Sequence, residues 1–575
     1  MNRAMKNLTA LLLALILVAG CTCAVAEGDP WTCPECWNEN TTKFCTKCGA
    51  KKPDEIICPG CGMKYAYDTD AVFCGECGTK LREEAAEIAS DRYEGNGFDT
   101  PEDAALYYVA GLKNLDLEQM LSAFAWETQA DRFDFKAMLT RIRGISPTNI
   151  PGMPVCNELS RSAAVEQLRG AQTNCICTAL EYYINDELYS SVSMSGVFRE
   201  EAEFENYLRR CNNGNAERLT MMRDIRLYHP DDVTDGKFSI GKNPQNFLKQ
   251  TAQYGGDAVK NVFVAFDIAG RTYAVAPTAV CYGGRWYLVS AGSMLSNILG
   301  ISYTEQAFFV VPDTLKAWLD NASPYSVTND LPAGKAGKIS YEGEGFNTPA
   351  EAVNCYFEGL KNGSVQQMLQ AFAWETQAGR YSLKEYVHWL HTLHVSAPVR
   401  MQLDNPFMTE LNLGSLRYYQ SRKIYAAIRQ FILEEEDNVK AQGLITNLQV
   451  DLKEEEEIDA FIQCFDNGKA DKLKRLGNVR LLEPGTLIER YNTDSVRNQL
   501  DSYQRIFGAD EILETLAVAD LEGETLIFDP VLVRYGNKWY IATIHGAAFS
   551  VLGIEANRQA LLHIKGPVSS LLLTQ

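Results

Sequence analysis

The sequence predicts an α+β protein in which a small cysteine-rich domain precedes two copies of one helix-and-strand domain. Three observations carry this expectation. Eight cysteines fall in four CxxC pairs between Cys33 and Cys77. The stretch from Tyr93 to Ala130 recurs from Tyr341 to Ala378 at an offset of 248, with 24 of 38 positions identical and the motif AFAWETQA intact in both. Each copy opens with apolar residues at helical spacing and closes with short apolar runs broken by glycine.

At 575 residues the chain is too long for one core, and a prior of ~100–200 residues per domain gives three or four units. Its formal charge of −20 argues against nucleic acid as the main partner, because phosphate binding needs clustered Lys and Arg that release counterions. Residues 1–26 read as an export signal. Arg3 and Lys6 give a positive start, and Leu8 to Val18 is an apolar run too short to cross a bilayer comfortably. The run ends in Val18-Ala19-Gly20-Cys21, which resembles the bacterial lipobox; that resemblance implies acylation of Cys21 and a membrane anchor on the extracytoplasmic side. The rival is cleavage after Ala26 at Ala24-Val25-Ala26, which would release a soluble, secreted protein.

Residues 30–80 hold four pairs: Cys33 with Cys36, Cys45 with Cys48, Cys58 with Cys61, and Cys74 with Cys77. A CxxC turn places two thiolates on one side of a metal, and two facing turns complete a tetrahedron. Pro34 and Pro59 sit inside the leading pairs, and Gly49 and Gly78 follow the trailing ones. The block resembles tandem zinc ribbons, which implies two structural zinc ions, each held by four Cys with no open position for catalysis. Fifty residues build little core, so metal binding would supply the folding free energy. Disulfides are the competing use of an even cysteine set in an exported protein.

After a charged stretch the duplicated part begins, with copies at 93–320 and 341–575 and a Pro/Gly/Ser-rich linker at 321–340. Thr348-Pro349-Ala350-Glu351 is a capping box with Pro at the first helical position, and Thr100-Pro101-Glu102-Asp103 is its counterpart. Ala352, Val353, Tyr356, Phe357 and Leu360 mark one buried face, and Lys361-Asn362-Gly363 ends the helix. A second short helix leads into AFAWETQA. Strands are expected at Val262–Ile268, Thr272–Ala276, Ala279–Tyr282 and Trp286–Val289, and at Leu516–Leu521, Thr525–Phe528, Val531–Tyr535 and Trp539–Thr543. Two helices followed by an antiparallel meander ending in YGxxWY resemble the NTF2-like (cystatin-like α+β) superfamily, which implies a curved antiparallel sheet wrapped around the first helix. About 100 residues between these ends exceed that fold's usual span, so a helical insertion is expected in each copy, near Arg161–Arg169 and Leu416–Glu435.

No catalytic motif can be carried over from that superfamily. Glu127 and Glu375 are the acid/base candidates, since they recur in both copies beside Trp126 and Trp374, whose rings could raise a carboxyl pKa and line a pocket. The plainer reading is that the Trp packs and the Glu caps a helix. His388, His391 and His394 have no counterparts in the first copy and fan over ~120° of a helix, a poor arrangement for one ion. The remaining cysteines, including Cys175 and Cys177, read as buried free thiols, with that pair a weak disulfide candidate. The expectation is a non-enzymatic, lipid-anchored binding or interaction protein of the bacterial cell envelope, engaging an envelope protein or a small ligand. The alternative is an NTF2-like enzyme of the isomerase or dehydratase type using Glu127 and Glu375 in two pockets.

Overall fold

The computed structural model describes residues 31–32, 39–40, 55–57 and 64–66 and, farther on, 93–142, 155–185, 200–212, 215–230, 232, 252–291, 309–311, 313–334, 340–390, 406–432, 454–466, 469–487, 491, 493–522, 524–544 and 562–564. Two compact units result, Met1–Arg92 and Tyr93–Gln575. In the first, β1 (Trp31–Thr32) pairs antiparallel with β2 (Glu39–Asn40), and β3 (Glu55–Ile57) with β4 (Lys64–Ala66).

In the second unit the first copy begins with α1 (Pro101–Asn114). The Thr100 side chain accepts from the Asp103 N–H and caps it, as the sequence predicts. Leu115 ends it in the left-handed conformation where the second copy has Gly363, a position that favours glycine. There follow α2 (Leu117–Leu121), α3 (Glu127–Arg132), α4 (Phe135–Ile142), the long α5 (Glu158–Asn185) and α6 (Glu201–Asn212). The strands are β5 (Arg223–Tyr228), β6 (Ala258–Asn261), β7 (Phe263–Ile268), β8 (Arg271–Val275), β9 (Thr278–Tyr282), β10 (Arg285–Ser290) and β11 (Phe309–Val310), then α7 (Asp313–Leu319) and β12 (Ser326–Thr328).

The second copy repeats this order with α8 (Pro349–Asn362), α9 (Val365–Leu369), α10 (Glu375–Arg380), α11 (Leu383–Leu390), α12 (Pro406–Ile432) and α13 (Glu455–Asp466). After β13 (Gly477–Leu482) come α14 (Pro484–Leu487) and α15 (Asp494–Phe507). The chain closes with β14 (Glu511–Glu514), β15 (Leu516–Leu521), β16 (Glu524–Phe528), β17 (Val531–Tyr535), β18 (Lys538–Thr543) and β19 (Leu562–Ile564).

The expected strands are present, but not as one meander. In each copy they divide between two antiparallel sheets, β11-β8-β7-β5-β12 and β10-β9-β6 in the first, β13-β15-β16-β19 and β14-β17-β18 in the second. The division falls at Pro277 and Pro530, which lack the N–H needed to continue a ladder; their carbonyls accept from Val262 N and Thr515 N instead. The stretch 321–340 does connect the copies, and part of it is folded: β12 extends the first copy's sheet along β5.

The expected helical insertions are α5 and α12, longer than the sequence suggested. They cross antiparallel, with Gly170 against Tyr418, Gly414 against Thr173, and the Cys177 thiol donating to the Leu411 carbonyl at 3.4 Å. Because Tyr418 lies 248 residues after Gly170, an approximate twofold axis relating the copies passes near this contact. Each helix is buried on opposite sides, so its apolar residues show no single stripe. Leu159 and Ala163 of α5 belong to the second copy's core, while Phe407, Met408 and Leu411 of α12 belong to the first copy's.

The crossing depends on its two glycines: a Cβ at Gly170 would lie 2.7 Å from a Tyr418 ring carbon, and one at Gly414 would lie 2.5 Å from the Thr173 methyl. Gly170→Val and Gly414→Val are expected to cost ~1–3 kcal/mol each by overpacking, measured by urea unfolding. Gly379→Ala, where nothing lies within 4 Å, is expected to leave the midpoint unchanged or slightly raised.

Candidate functional site

The repeated motifs at the two ends of each copy meet in space. Phe98 and Trp286 exchange backbone hydrogen bonds of 2.9 and 2.8 Å, as Phe346 and Trp539 do at 3.1 and 2.8 Å. Gly97 and Gly345, both at positive φ, admit the rings of Tyr287 and Tyr540 where any Cβ would collide. The AFA segments run beside β10 and β18, with Leu288 N donating to Ala123 O and Ile541 N to Ala371 O.

The second half of the motif locks onto the start of its own copy. Trp126 and Trp374 are almost fully buried and stack on Phe124 and Phe372, each pair at 5.1 Å, and their indole N–H groups donate to Leu121 O and Leu369 O. Glu94 accepts from Trp126 N, Thr128 N and the Thr128 hydroxyl, capping α3. Glu342 does the same for Thr376 N and its hydroxyl. Glu127 answers by accepting from Tyr93 N at 2.9 Å and Glu94 N at 3.1 Å. Glu375 accepts from Tyr341 N at 2.7 Å, and its Oε2 is buried without a partner.

Of the four residues expected to line pockets, then, the two tryptophans are core and Glu127 is a backbone brace; Glu375 alone borders the cavity described below. Burial raises the Glu127 carboxyl, and its backbone hydrogen bonds offset part of that rise. His388 lies on α11, and His391 and His394 lie outside the described residues. Among the described residues no three metal-binding side chains converge, and Cys156, Cys175, Cys177, Cys281 and Cys355 are free thiols.

The charged centre of the molecule's second unit lies where α5 crosses α12, and it was not among the sequence candidates. Arg169 donates to Glu118 Oε1 and Oε2 at 2.9 and 3.0 Å and to the Tyr341 hydroxyl. The same hydroxyl donates to Glu118 at 2.6 Å. Arg417, at the equivalent position of the second copy, donates to Glu166 at 3.0 Å and to the Tyr93 hydroxyl at 2.6 Å; Tyr93 in turn donates to Glu166 at 2.7 Å. The guanidinium carbons lie 4.3 Å and 4.5 Å from the ring centroids of Tyr93 and Tyr341, respectively. Burial works against the charge of each Arg, yet the neighbouring carboxylates and tyrosines hold both above the ordinary arginine value. The tyrosines are pushed up chiefly by burial and stay neutral.

Both carboxylates come from the first copy. The second copy has Gln366 where the first has Glu118, and Gly414 where the first has Glu166. A cavity of about 330 Å³ opens between the copies on the Gly414 side, bordered by Leu117, Arg169, Glu375, Leu413, Arg417 and Ser421 among others. The Ser421 hydroxyl and the Arg417 Nε are buried without partners. The sequence signal for this centre was Leu-Arg-x-x-Gln, at Leu168–Gln172 and Leu416–Gln420, in line with the longer repeat.

The lipidation candidate Cys21 lies outside the described residues, and so do all eight expected zinc ligands: Cys33, Cys36, Cys45, Cys48, Cys58, Cys61, Cys74 and Cys77. The described residues therefore contain no metal site to set against the expected two zinc ions. What they do contain is the framework around the leading pairs. Cys33 and Cys36 fall in sequence between the paired strands β1 and β2, and Cys58 and Cys61 between β3 and β4. The trailing pairs, Cys45 with Cys48 and Cys74 with Cys77, follow β2 and β4.

Comparison with known proteins places residues 33–78 in the double zinc ribbon family. No curated protein matches the chain. Among solved structures, a cystatin-like protein from Ruminococcus gnavus ATCC 29149 is similar at 12% identity and a TM-score of 0.46, over 81% of this chain and 92% of that one. The protein thus has a double zinc ribbon ahead of a mixed helical and antiparallel-sheet body.

Arg417→Met leaves the Glu166 carboxylate buried without its cation and is expected to cost ~3–5 kcal/mol by urea unfolding. Adding Glu166→Leu is expected to recover part of that loss, as a double-mutant cycle would show. A second expectation concerns Lys423 on α12, whose Nζ donates to the Thr543 hydroxyl at 3.0 Å and lies 4.3 Å from the Tyr419 ring centre. Desolvation pulls it down to about 7. Between that value and the ordinary 10.5 the unfolded chain holds a proton the native one lacks, so stability rises with pH across this window. Lys423→Met is expected to flatten that slope in denaturant titrations between about pH 7 and 10.

Proposed function

We propose that the chain is an exported, lipid-anchored binding protein of the bacterial cell envelope, carrying two structural zinc ions in its ribbons and a body of two NTF2-like repeats. The observation that carries a binding role over an enzymatic one is the engagement of Glu127 and Glu375 by backbone. Glu127 spends both carboxylate oxygens, and Glu375 one, on the N–H groups that open its copy, which supports bracing of the chain over general acid or base work. The export and anchor reading rests on the charged start, the short apolar run and the lipobox-like Val18-Ala19-Gly20-Cys21. In this reading one zinc ion is held by Cys33, Cys36, Cys45 and Cys48 and the other by Cys58, Cys61, Cys74 and Cys77. Four-cysteine sites leave the zinc no open position, so the ribbon acts as a rigid module that engages a partner. The charge of −20 disfavours nucleic acid, and an envelope protein or a small ligand is the partner.

Mass spectrometry of the mature protein, kept metal-loaded and non-reduced, tests this reading. The expected result is an acylated Cys21 as the N-terminus and two bound zinc ions, with acylation lost in Cys21→Ala. Chelation is expected to make residues 30–80 protease-sensitive while the unit from Tyr93 onward stays resistant. A mature chain starting at Glu27, or a metal-free ribbon lighter by two hydrogens per Cys pair, would overturn it. Glu127→Gln is expected to leave partner binding intact.

A further inference from the structure

Arg169 and Arg417 are each matched by a carboxylate, whereas Lys423 on α12 is not. Among the described residues the partners of its Nζ are the Thr543 hydroxyl, at 3.0 Å, and the Tyr419 ring, 4.3 Å away at the centroid. An ammonium drawn out of water without a counter-ion is unfavourable, so the site favours the neutral amine. The surroundings are aromatic and reach the surface. Burial raises the Tyr386 hydroxyl, and the neighbouring Tyr419 and Tyr503 raise it further, which places the three phenols together. Trp389, 39% exposed, continues this wall at 6.2 Å from Tyr386 and 5.5 Å from Tyr503 between ring centroids. Lys423, Tyr419, Tyr386 and Tyr503 are half-buried, so solvent touches each of them. The first copy has Met138, Ala171 and Cys175 where the second has Tyr386, Tyr419 and Lys423. Three positions on two helices thus differ together, and only the second copy surrounds an amine with phenols.

We infer that Lys423 is a site of reversible covalent capture for a neutral aromatic aldehyde, which its Nζ takes up as an imine. The step balances without a redox partner. The Nζ lone pair forms a bond to the carbonyl carbon, the carbonyl oxygen leaves as water with the two amine hydrogens, and hydrolysis reverses it. Burial favours the product, because a neutral imine avoids the cost that the site imposes on an ammonium. Thr543 suits both states: its hydroxyl accepts from Nζ in the amine and can turn to donate to the imine nitrogen. The aromatic wall selects a carbonyl compound that carries a ring. Burial chiefly raises the Tyr503 hydroxyl, and Glu514 and Asp529 add to the rise; the same carboxylates disfavour an acidic ligand. The inference goes beyond the binding reading and does not rest on it, since imine capture needs neither export nor an envelope partner.

The test is reductive trapping on the purified, zinc-loaded chain near pH 7, with benzaldehyde and, separately, butanal, each in the presence of sodium cyanoborohydride. Peptide mapping by mass spectrometry reads the labelled lysines. Lys423 is expected to take benzaldehyde roughly tenfold or more faster than the exposed Lys316 and Lys474, which stay protonated at that pH. Its rate is expected to saturate with aldehyde concentration, as binding ahead of reaction requires. The ratio of Lys423 to Lys474 labelling is expected to be higher for benzaldehyde than for butanal. Lys423→Arg is expected to lose the fast, saturable phase, and Tyr419→Leu to lose the preference for the aromatic probe. Labelling of Lys423 no faster than Lys316, a rate that rises linearly without saturation, or equal ratios for the two aldehydes overturns the inference. So does a fast phase that persists in Lys423→Arg, or an undiminished preference in Tyr419→Leu with the thermal midpoint held.

Discussion

Two guanidiniums buried at the crossing of α5 and α12 set a constraint that much of the second unit serves. A buried cation is tolerable only with a carboxylate and enough hydrogen-bond partners around it. Arg169 finds Glu118 in its own copy and Tyr341 in the other; Arg417 finds Glu166 and Tyr93, both across the interface. The copies are therefore joined by polar partners as well as by apolar packing, and their relative placement is specified by groups with few alternative arrangements. The tyrosines in this cluster are the residues whose backbone N–H groups the motif glutamates hold. AFAWETQA thus acts at one remove, fixing Tyr93 and Tyr341 so that their hydroxyls reach the neighbouring cluster.

That constraint also explains where the copies diverge. An exact repeat would place a carboxylate at positions 366 and 414 as well, giving four around two cations and a surplus charge in a buried site. Gln366 and Gly414 avoid this while keeping the positions filled or open as sterics require. Gln366 still donates to the Tyr93 hydroxyl at 2.7 Å, so the hydrogen-bond role survives the loss of charge. Gly414 lets Thr173 approach, and the cavity lies on the same side of the crossing. The long helices exchange their burial in the same way, each contributing apolar residues to the other copy's core, so the pair is one folded body. The arrangement has the geometry of an isologous dimer built within one chain.

The zinc ribbon stands apart in kind. A ribbon of this family would draw its stability from metal and thiolate, whereas the body's comes from two apolar cores and their shared interface, so loss of metal should affect one and spare the other. Glu127, a carboxylate beside tryptophan, has both oxygens taken up by local backbone N–H groups, and Glu375 has one taken up in the same way.

Much of this was legible in advance because it is local. Cysteine spacing announces the double zinc ribbon, Thr100 and Thr348 announce helix starts through their own caps, Gly363 announces a helix end, and apolar runs between glycines place the final strands to within a residue or two. The duplication needs only self-comparison. The sequence by itself therefore determined the parts list and the internal symmetry. The split of each strand set into two sheets, the crossing of α5 with α12, the pairing of each arginine and the cavity beside Gly414 were decided by tertiary structure. Glu118 meets Tyr341 across 223 positions and Glu166 meets Arg417 across 251, and no periodicity within either helix distinguishes those side chains from solvent-facing charges. Only the approach of the two copies, set by the sizes of Gly170 and Gly414, turns ordinary helix-surface residues into a buried, charge-balanced centre.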